Sequence, residues 1–489
     1  KKWYKAGYVE QELDSGKTKE YLKAVYDLRH NERIDILVKH LKINKKKIYF
    51  VEHHLAHAAA AYYGSNFDRK KKILILTCDG AGDGISATVS IGYKNKIKRL
   101  SATKRSASIG KIYSRVTHFL GFEPWEHDYK IMGMAPYGNL RYAKKIEKIF
   151  EKISKIKNDK DIFFSNPSKL NASYLFNYFK SNLTLNRFDN ICLGVQIYIE
   201  NQLTKWVLNC IKKTDIQNLV FGGGVFMNVK ANQKIMSLKK VKNTFVFPSC
   251  GDESLSMGAA WHRYYKYKKN DFLPKFKNIY VGREYNQNYI SKCIIKNFKD
   301  NNKYYYKKIK DIEIKAAKLL AENKIIARYA SKSEWGARAL GNRSILSNPS
   351  NISNIEKINN MIKKRDFWMP FAPSILEEDL KKYFVNKKNT DLRYMTVSLD
   401  SFKNKNMDAG LHPRDKTGRV QIVSKVLNSK YYRLIKQFKL LTGISAVLNT
   451  SFNIHGKPIV YSPDDAIIAF KKSGLEYLVI DNYLIKKIW

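Results

Sequence analysis

What this chain has little of narrows its class first. Acidic residues are scarce: 43 Asp and Glu stand against 90 Lys and Arg, for a formal charge of +47. An excess of that size draws phosphates and other polyanions toward the surface. The lysines, however, are spread along the whole chain, and Lys, Ile, Asn and Tyr are abundant together, as an AT-biased genome would produce. Charge alone therefore does not mark a nucleic-acid-binding protein. Cysteine is also sparse. The five residues Cys78, Cys192, Cys210, Cys250 and Cys293 are odd in number and lack CxxC spacing, which argues against a disulfide framework or a structural zinc site; a reducing cytoplasm fits best. No apolar run approaches the ~20 residues that span a bilayer, and no signal-peptide pattern opens the sequence. The first residue is Lys1, in mid-pattern, so an N-terminal piece is expected to be missing.

What is present alternates strands with helices over 489 residues, a length that suits two domains with a core each. A lysine-rich passage from Tyr264 to Lys269, leading through Phe272-Leu273-Pro274-Lys275, is the best boundary, which divides the chain into domains 1–272 and 273–489. Past it, Ile312 to Ala321 reads as an amphipathic helix and Ile325 to Tyr329 as a strand, so the second half is again mixed α/β.

Two histidines carry the sharpest chemistry. His53 and His57 follow a β-like stretch, Ile48-Tyr49-Phe50-Val51, and open an alanine-rich helix whose turn sets positions i and i+4 on one face. A lone HxxxH is more often packing than ligation. Downstream, however, the buried strand Ile73-Leu74-Ile75-Leu76-Thr77 runs into Cys78-Asp79-Gly80-Ala81-Gly82-Asp83-Gly84, an acidic glycine-rich turn. The strand Phe245-Val246-Phe247-Pro248 leads likewise to Gly251-Asp252-Glu253. Carboxylates at strand ends and imidazoles on a helix are the usual parts of an open divalent-metal site.

Three further segments are rich in anion-binding groups. Leu219-Val220-Phe221 ends in Gly222, Gly223 and Gly224 ahead of Asn228, where backbone N–H groups at a helix start could meet a phosphate; a tight turn is the plain alternative. Trp335 to Ser344 puts Arg338 and Arg343 in a glycine-bounded loop, with Lys363-Lys364-Arg365 following, and guanidinium forks suit oxyanions. Val447-Leu448 reads as a strand end leading into Asn449-Thr450-Ser451-Phe452-Asn453, a set of neutral donors and acceptors.

Taken together these blocks resemble the NodU/CmcH family of O-carbamoyltransferases. The matching residues include His53-His54-Leu55-Ala56-His57-Ala58, Asp79 to Gly84, Lys130-Ile131-Met132-Gly133-Met134-Ala135-Pro136-Tyr137-Gly138, Gly222 to Asn228, Gly251-Asp252-Glu253-Ser254, Arg338 to Ser344, Pro370-Phe371-Ala372-Pro373-Ser374, and Asn449 to Asn453 with Gly456-Lys457-Pro458-Ile459-Val460. Eight blocks in one order span nearly the whole chain.

The resemblance implies an α/β protein with an actin-like ATPase (ASKHA) N-terminal domain, N-terminally truncated, and a YrdC-like C-terminal domain. It implies that the C-terminal domain joins carbamoyl phosphate to ATP as carbamoyl-adenylate, and that the N-terminal domain passes the carbamoyl group to an acceptor hydroxyl. By position His53, His57 and Asp252 take the metal-ligand places, with Asp79 a further ligand or near contact. The implied ion is a divalent metal, Fe2+ above others, with Mg2+ accompanying ATP. The glycine triplet and Asn228 fall where the nucleotide sits. His54 is the candidate general base, a core position being the equal alternative, and Lys130 a candidate phosphate contact. Arg338, Arg343 and Lys363 take the places of phosphate ligands, Arg419 is expected at the same site, Ser451 and Asn453 take those of orienting groups, and Asn449 and Arg365 are further candidates for nucleotide binding. Met369 stands where the family commonly has an arginine, and Arg365 is the nearest substitute.

Sugar, aminoglycoside, lipid-linked saccharide and polyketide hydroxyls all remain open as acceptors. A tRNA threonylcarbamoyladenosine-type enzyme and a non-catalytic nucleotide-binding relative are the competing readings. Nucleic acid is not the expected partner, and no oligomeric state follows from these residues.

Overall fold

The computed structural model describes residues 19–268, 276, 278–388, 390–402 and 405–488. The chain separates into two compact units, Lys1–Phe276 and Lys277–Trp489. The expected start of the chain and the expected boundary at 272/273 lie outside the described residues.

In the first unit the elements run α1 (Lys19–Leu41), α2 (His53–Gly64), β1 (Ile73–Gly82), β2 (Ile85–Tyr93), β3 (Lys96–Lys104), α3 (Ile109–Phe119), α4 (Asp128–Met134), α5 (Leu140–Glu151), α6 (Phe176–Leu183), α7 (Phe188–Thr214), β4 (Asn218–Gly222), α8 (Val229–Ser237), β5 (Asn243–Val246) and α9 (Leu255–Tyr267). The sheet order is β3-β2-β1-β4-β5. β2 is antiparallel to both of its neighbours, while β1, β4 and β5 run parallel. The unbroken apolar run of β1 is explained by this central place, since Ile73, Leu74, Ile75 and Leu76 are all buried. The edge strand β3 instead alternates burial and carries lysines, which blunt edge-to-edge pairing.

Two local expectations need correction. Ile48 to Val51 is not a strand: the segment is irregular, and Tyr49 and Phe50 are exposed. The acidic glycine-rich stretch is not mainly a turn either. β1 continues to Gly82 with an irregular register after Cys78, and the reversal is confined to Asp83 and Gly84, both at positive φ.

The second unit contains α10 (Gln287–Phe298), β6 (Tyr304–Lys308), α11 (Ile312–Ala321), β7 (Ile326–Tyr329), β8 (Arg343–Ser347), α12 (Ser353–Ile358), β9 (Ala372–Leu376), β10 (Leu399–Asp400), β11 (Thr417–Gly418), β12 (Gln421–Val423), α13 (Ser429–Thr442), β13 (Ala446–Ser451), α14 (Pro463–Lys472), β14 (Tyr477–Ile480) and β15 (Tyr483–Lys487). Its mixed sheet runs β12-β9-β13-β8-β7-β14-β15-β6. The core gathers Ile294, Phe298, Ala327, Ile345, Phe452, Ile467, Phe470 and Leu478 on one side of this sheet. β13 extends through Ser451, three residues past its expected end. Period-two geometry then puts Asn449 and Ser451 on one face and Thr450 on the other. Among the described residues no helix is long and apolar enough to cross a membrane.

Candidate functional site

Helix α2 starts at His53 because Glu52 caps it. The Glu52 carboxylate accepts from the N–H groups of His54 (3.1 Å) and Leu55 (2.7 Å), and Arg99 pairs with it. The N–H of His53 donates to Asp83 at 2.8 Å, which fixes the helix start against the β1–β2 turn. Alanines at 56 and 58 to 61 keep the helix thin, and α9 approaches so closely that a Cβ on Gly258 would lie 1.9 Å from the Ala56 carbonyl.

On this frame His53, His57, Asp79 and Asp252 converge, with one donor atom from each within 4.8 Å of all the others. His53 Nε2 lies 2.9 Å from Asp79 Oδ2 and 3.7 Å from Asp252 Oδ1. His57 Nε2 is 3.6 Å from both carboxylates. With ligand bonds of about 2.1 Å, right angles put donor atoms about 3.0 Å apart and tetrahedral angles about 3.4 Å. The imidazole–carboxylate separations of 2.9 to 3.7 Å are close to that range, so small inward shifts would bring the four donors around one ion. His57 Nδ1 faces Ser254 Oγ at 3.1 Å, while its Nε2, aimed at the carboxylates, is buried without a hydrogen-bond partner. When deprotonated, that nitrogen would present a lone pair to the cluster, the state a metal-bound imidazole requires. His57 is fully buried and Asp252 is 71% exposed, so the cluster is closed on the helix side and open at Asp252.

Charge is balanced within the cluster. Burial alone would lower the pKa of His57, but Asp252 and Asp79 outweigh it and raise it to about 9. Burial alone would raise Asp79, and the two imidazoles instead hold it well below the usual carboxylate range. Asp79 is further fixed by the Gly224 N–H, which donates to its Oδ1 at 3.0 Å.

The neighbouring expectations divide. His54 is not a base facing the site. Its Nε2–H donates to the Ile85 carbonyl (3.0 Å), its Nδ1 accepts from Thr77 (2.9 Å), and burial lowers its pKa well below the ordinary value. The glycine triplet does not hold its N–H groups open for a phosphate. Gly223 donates to Cys250 (2.9 Å) and Gly224 to Asp79. What the glycines supply is close approach: a Cβ on Gly222 would meet the His57 carbonyl at 2.8 Å. Asn228 caps α8 and exchanges hydrogen bonds with Gln196. Lys130 sits on α4 with its ammonium 5.1 Å from the Phe122 ring.

In the second unit, Lys363 ends a π-helical turn, Asn359–Lys363, of the kind that often marks functional positions. Its ammonium is buried and donates to Ser451 Oγ (3.0 Å) and Asn453 Oδ1 (2.6 Å). Burial and then Arg365 lower its pKa well below the ordinary value. Arg419 is lowered by burial and by Arg338 and Arg365, and its Nε is buried without a hydrogen-bond partner. Lys363, Arg338, Arg365 and Arg419 thus crowd like charges into one place, an arrangement that a bound anion would relieve. Arg365 supplies a guanidinium there although position 369 is methionine. Asn449 donates to the Ala339 carbonyl, Ser374 and Gln421, and its Oδ1 is buried without a partner.

Arg343 is the exception and its expected role is corrected. It is fully buried, stacks at 3.6 Å on the Tyr329 ring, and donates to the carbonyls of Ala330 (2.7 Å), Asn342 (3.0 Å) and Ser331 (3.0 Å). Its fork is taken up by main chain, so it shapes the loop that carries Arg338.

Residues 1–261 match the family described as Carbamoyltransferase N-terminus, and residues 317–487 match Carbamoyltransferase C-terminus. The chain belongs to the carbamoyltransferase family. It is an enzyme of the NodU/CmcH O-carbamoyltransferase type. It is 32% identical to the uncharacterized protein MJ1058 of Methanocaldococcus jannaschii, over 100% of this chain and 86% of that one. The nodulation protein NolNO of Sinorhizobium fredii is 30% identical over 91% of this chain and 65% of its own length. The 3'-hydroxymethylcephem-O-carbamoyltransferase of Amycolatopsis lactamdurans is 25% identical over 54% of this chain and 48% of its own.

Several residues of this carbamoyltransferase escaped sequence reasoning. Glu334 Oε1 accepts from the N–H groups of Leu340, Asn342 and Arg343 and so folds the arginine loop. Its only signal was a carboxylate just ahead of that loop. Ser254 and Gln421 gave none beyond their neighbours. Lys111 on α3 is buried, and burial, Arg105 and Arg115 lower its pKa to about 7. From about pH 7 to 10 the unfolded chain therefore holds a proton that the folded chain lacks, and stability rises with pH across that window. Lys111→Met should flatten the rise; thermal melts of both proteins at several pH values check it.

Proposed function

We propose that this carbamoyltransferase works in two half-reactions, with the actin-like fold in the first unit and the YrdC-like fold in the second. The order β3-β2-β1-β4-β5 with an antiparallel β2 supports the first assignment. In the second unit carbamoyl phosphate, ATP and water give carbamoyl-adenylate, pyrophosphate and inorganic phosphate. In the first unit an acceptor hydroxyl attacks the carbamoyl carbon, its proton leaves, and AMP departs. The crowded cations at Lys363, Arg338, Arg365 and Arg419 support phosphate binding, and the donors on Ser451 and Asn453 support orientation.

The observation that carries the reading is the four-donor cluster, with His57 Nε2 buried, unpartnered and aimed at two carboxylates. His53, His57, Asp79 and Asp252 would hold a divalent ion, Fe2+ by preference. When bound, that ion supplies a Lewis acid beside the carbonyl, where it offsets the charge of the developing oxyanion. The protein's own part is positioning. Ser254 sets the His57 ring, Gly224 holds Asp79, and exposure at Asp252 leaves room for substrates.

Pyrophosphate release from ATP and carbamoyl phosphate tests the first half-reaction. Lys363→Met should lower it about 10²-fold, as loss of a preorganised charge does. No nucleotide-dependent turnover with any acceptor would overturn the proposal.

A further inference from the structure

Trp125 is the most unusual residue near the four-donor cluster. Its side chain is 66% exposed, and its backbone lies in the left-handed region at φ 67, which bulky residues rarely adopt. Strain of this kind persists where surrounding structure enforces it. Here Asp128 Oδ1 accepts from both the Trp125 N–H (3.3 Å) and the Thr117 hydroxyl (2.6 Å), so α3 and α4 fix the loop. The indole is held over the residue that follows Asp79. A Cβ built on Gly80 would lie 4.0 Å from Trp125 Nε1, with no nearer neighbour.

A cation accompanies the ring. The Arg115 guanidinium lies 5.8 Å from its centroid, and Arg115 Nε is buried without a hydrogen-bond partner. An exposed aromatic face backed by a cation is suited to a ring with C–H groups on one side and negative charge at its rim.

We propose that Trp125 is the platform on which the carbamoyl acceptor stacks, and that Arg115 receives its charge: the acceptor is a saccharide bearing a phosphate, carboxylate or sulfate. The proposal rests on the transfer reaction assigned above to the first unit. Transfer joins two substrates at one ion, which requires two binding surfaces. The glycine triplet reaches Asp79 through its carboxylate, and the Trp125 indole lies on the open side of Gly80, the next residue.

Saturation-transfer NMR on the full chain tests this, with glucose 6-phosphate, galacturonate, glucose, inorganic phosphate and AMP as probes. The expected result is contact to the ring protons of an anionic sugar, stronger than for glucose. Trp125→Ala should weaken it at least about 10-fold, and Trp125→Phe should retain it. Trp125→Gly should lose it while raising the melting temperature, because the left-handed strain is relieved. No binding of either anionic sugar, equal binding by Trp125→Ala, dependence on Trp125 for AMP alone, or a lower melting temperature for Trp125→Gly would each overturn the proposal. Pyrophosphate release by the wild type is followed separately. Its absence would count against the two-step reaction and not against the binding surface.

Discussion

Gly223→Ala is expected to unfold the first unit or to lower its stability by about 4 kcal/mol or more, a size reserved for overpacking combined with backbone strain. Gly223 sits at φ 95 and ψ 149, a region that only glycine occupies readily. An added Cβ would lie 2.3 Å from the Cys78 carbonyl oxygen and 2.7 Å from its carbon. Both atoms belong to the buried central strand β1, so no flexible side chain can yield. Gly121→Ala separates the two causes. Gly121 has a positive φ of 82 but nothing within 4 Å of its Cβ position, so strain acts there alone and should cost about 1 kcal/mol. Urea midpoints of the two variants against wild type decide the matter. Equal losses would mean that the Gly223–Cys78 approach does not exist. Because Cys78 precedes Asp79, a displaced strand would also move one member of the four-donor cluster.

Much of this was legible in the residues because strong periodicity and charge leave few alternatives. The continuous apolar run of Ile73 to Leu76 reads as a buried strand, and it is the centre of its sheet. The spacing of His53 and His57 predicted one helical face, and that face meets Asp79 and Asp252. Where the reading failed, the determining partner was distant in sequence. For His54 a general base and a core position were equal readings until Thr77 and Ile85 closed around its ring. Gly223 and Gly224 looked like a phosphate cradle because their N–H groups carry no local sign of Cys250 and Asp79. Arg343 and Arg338 are chemically alike, and only the carbonyls at 330, 331 and 342 distinguish the shaping residue from the one near Arg419. Strand and helix boundaries are set by short-range pattern, whereas the use of a polar group is set by whichever partner the fold delivers.

Asp79→Asn should lower carbamoyl transfer about 10³-fold and weaken divalent-ion binding by at least about 100-fold, since even outer partners of a ligand are typically worth 10 to 100. The substitution separates two roles of the same side chain. Asp79 Oδ1 accepts from the Gly224 N–H at 3.0 Å, and an asparagine oxygen can keep that bond. Oδ2 is the atom that faces His53 at 2.9 Å and His57 at 3.6 Å. Replacing it by an amide removes the negative charge and puts N–H donors where an ion would sit. If Asp79 served only to fix the glycine turn, the variant would bind Fe2+ or Zn2+ as the wild type does and would melt at the same temperature. If the four donors share an ion, equilibrium dialysis should show the metal lost, and the ion-dependent rise in melting temperature should vanish with it. Pyrophosphate release should outlast transfer in this variant, because the residues assigned to adenylate formation lie in the other unit. Simultaneous loss of both activities with metal binding intact would remove Asp79 from the ligand set and leave it as a fold residue.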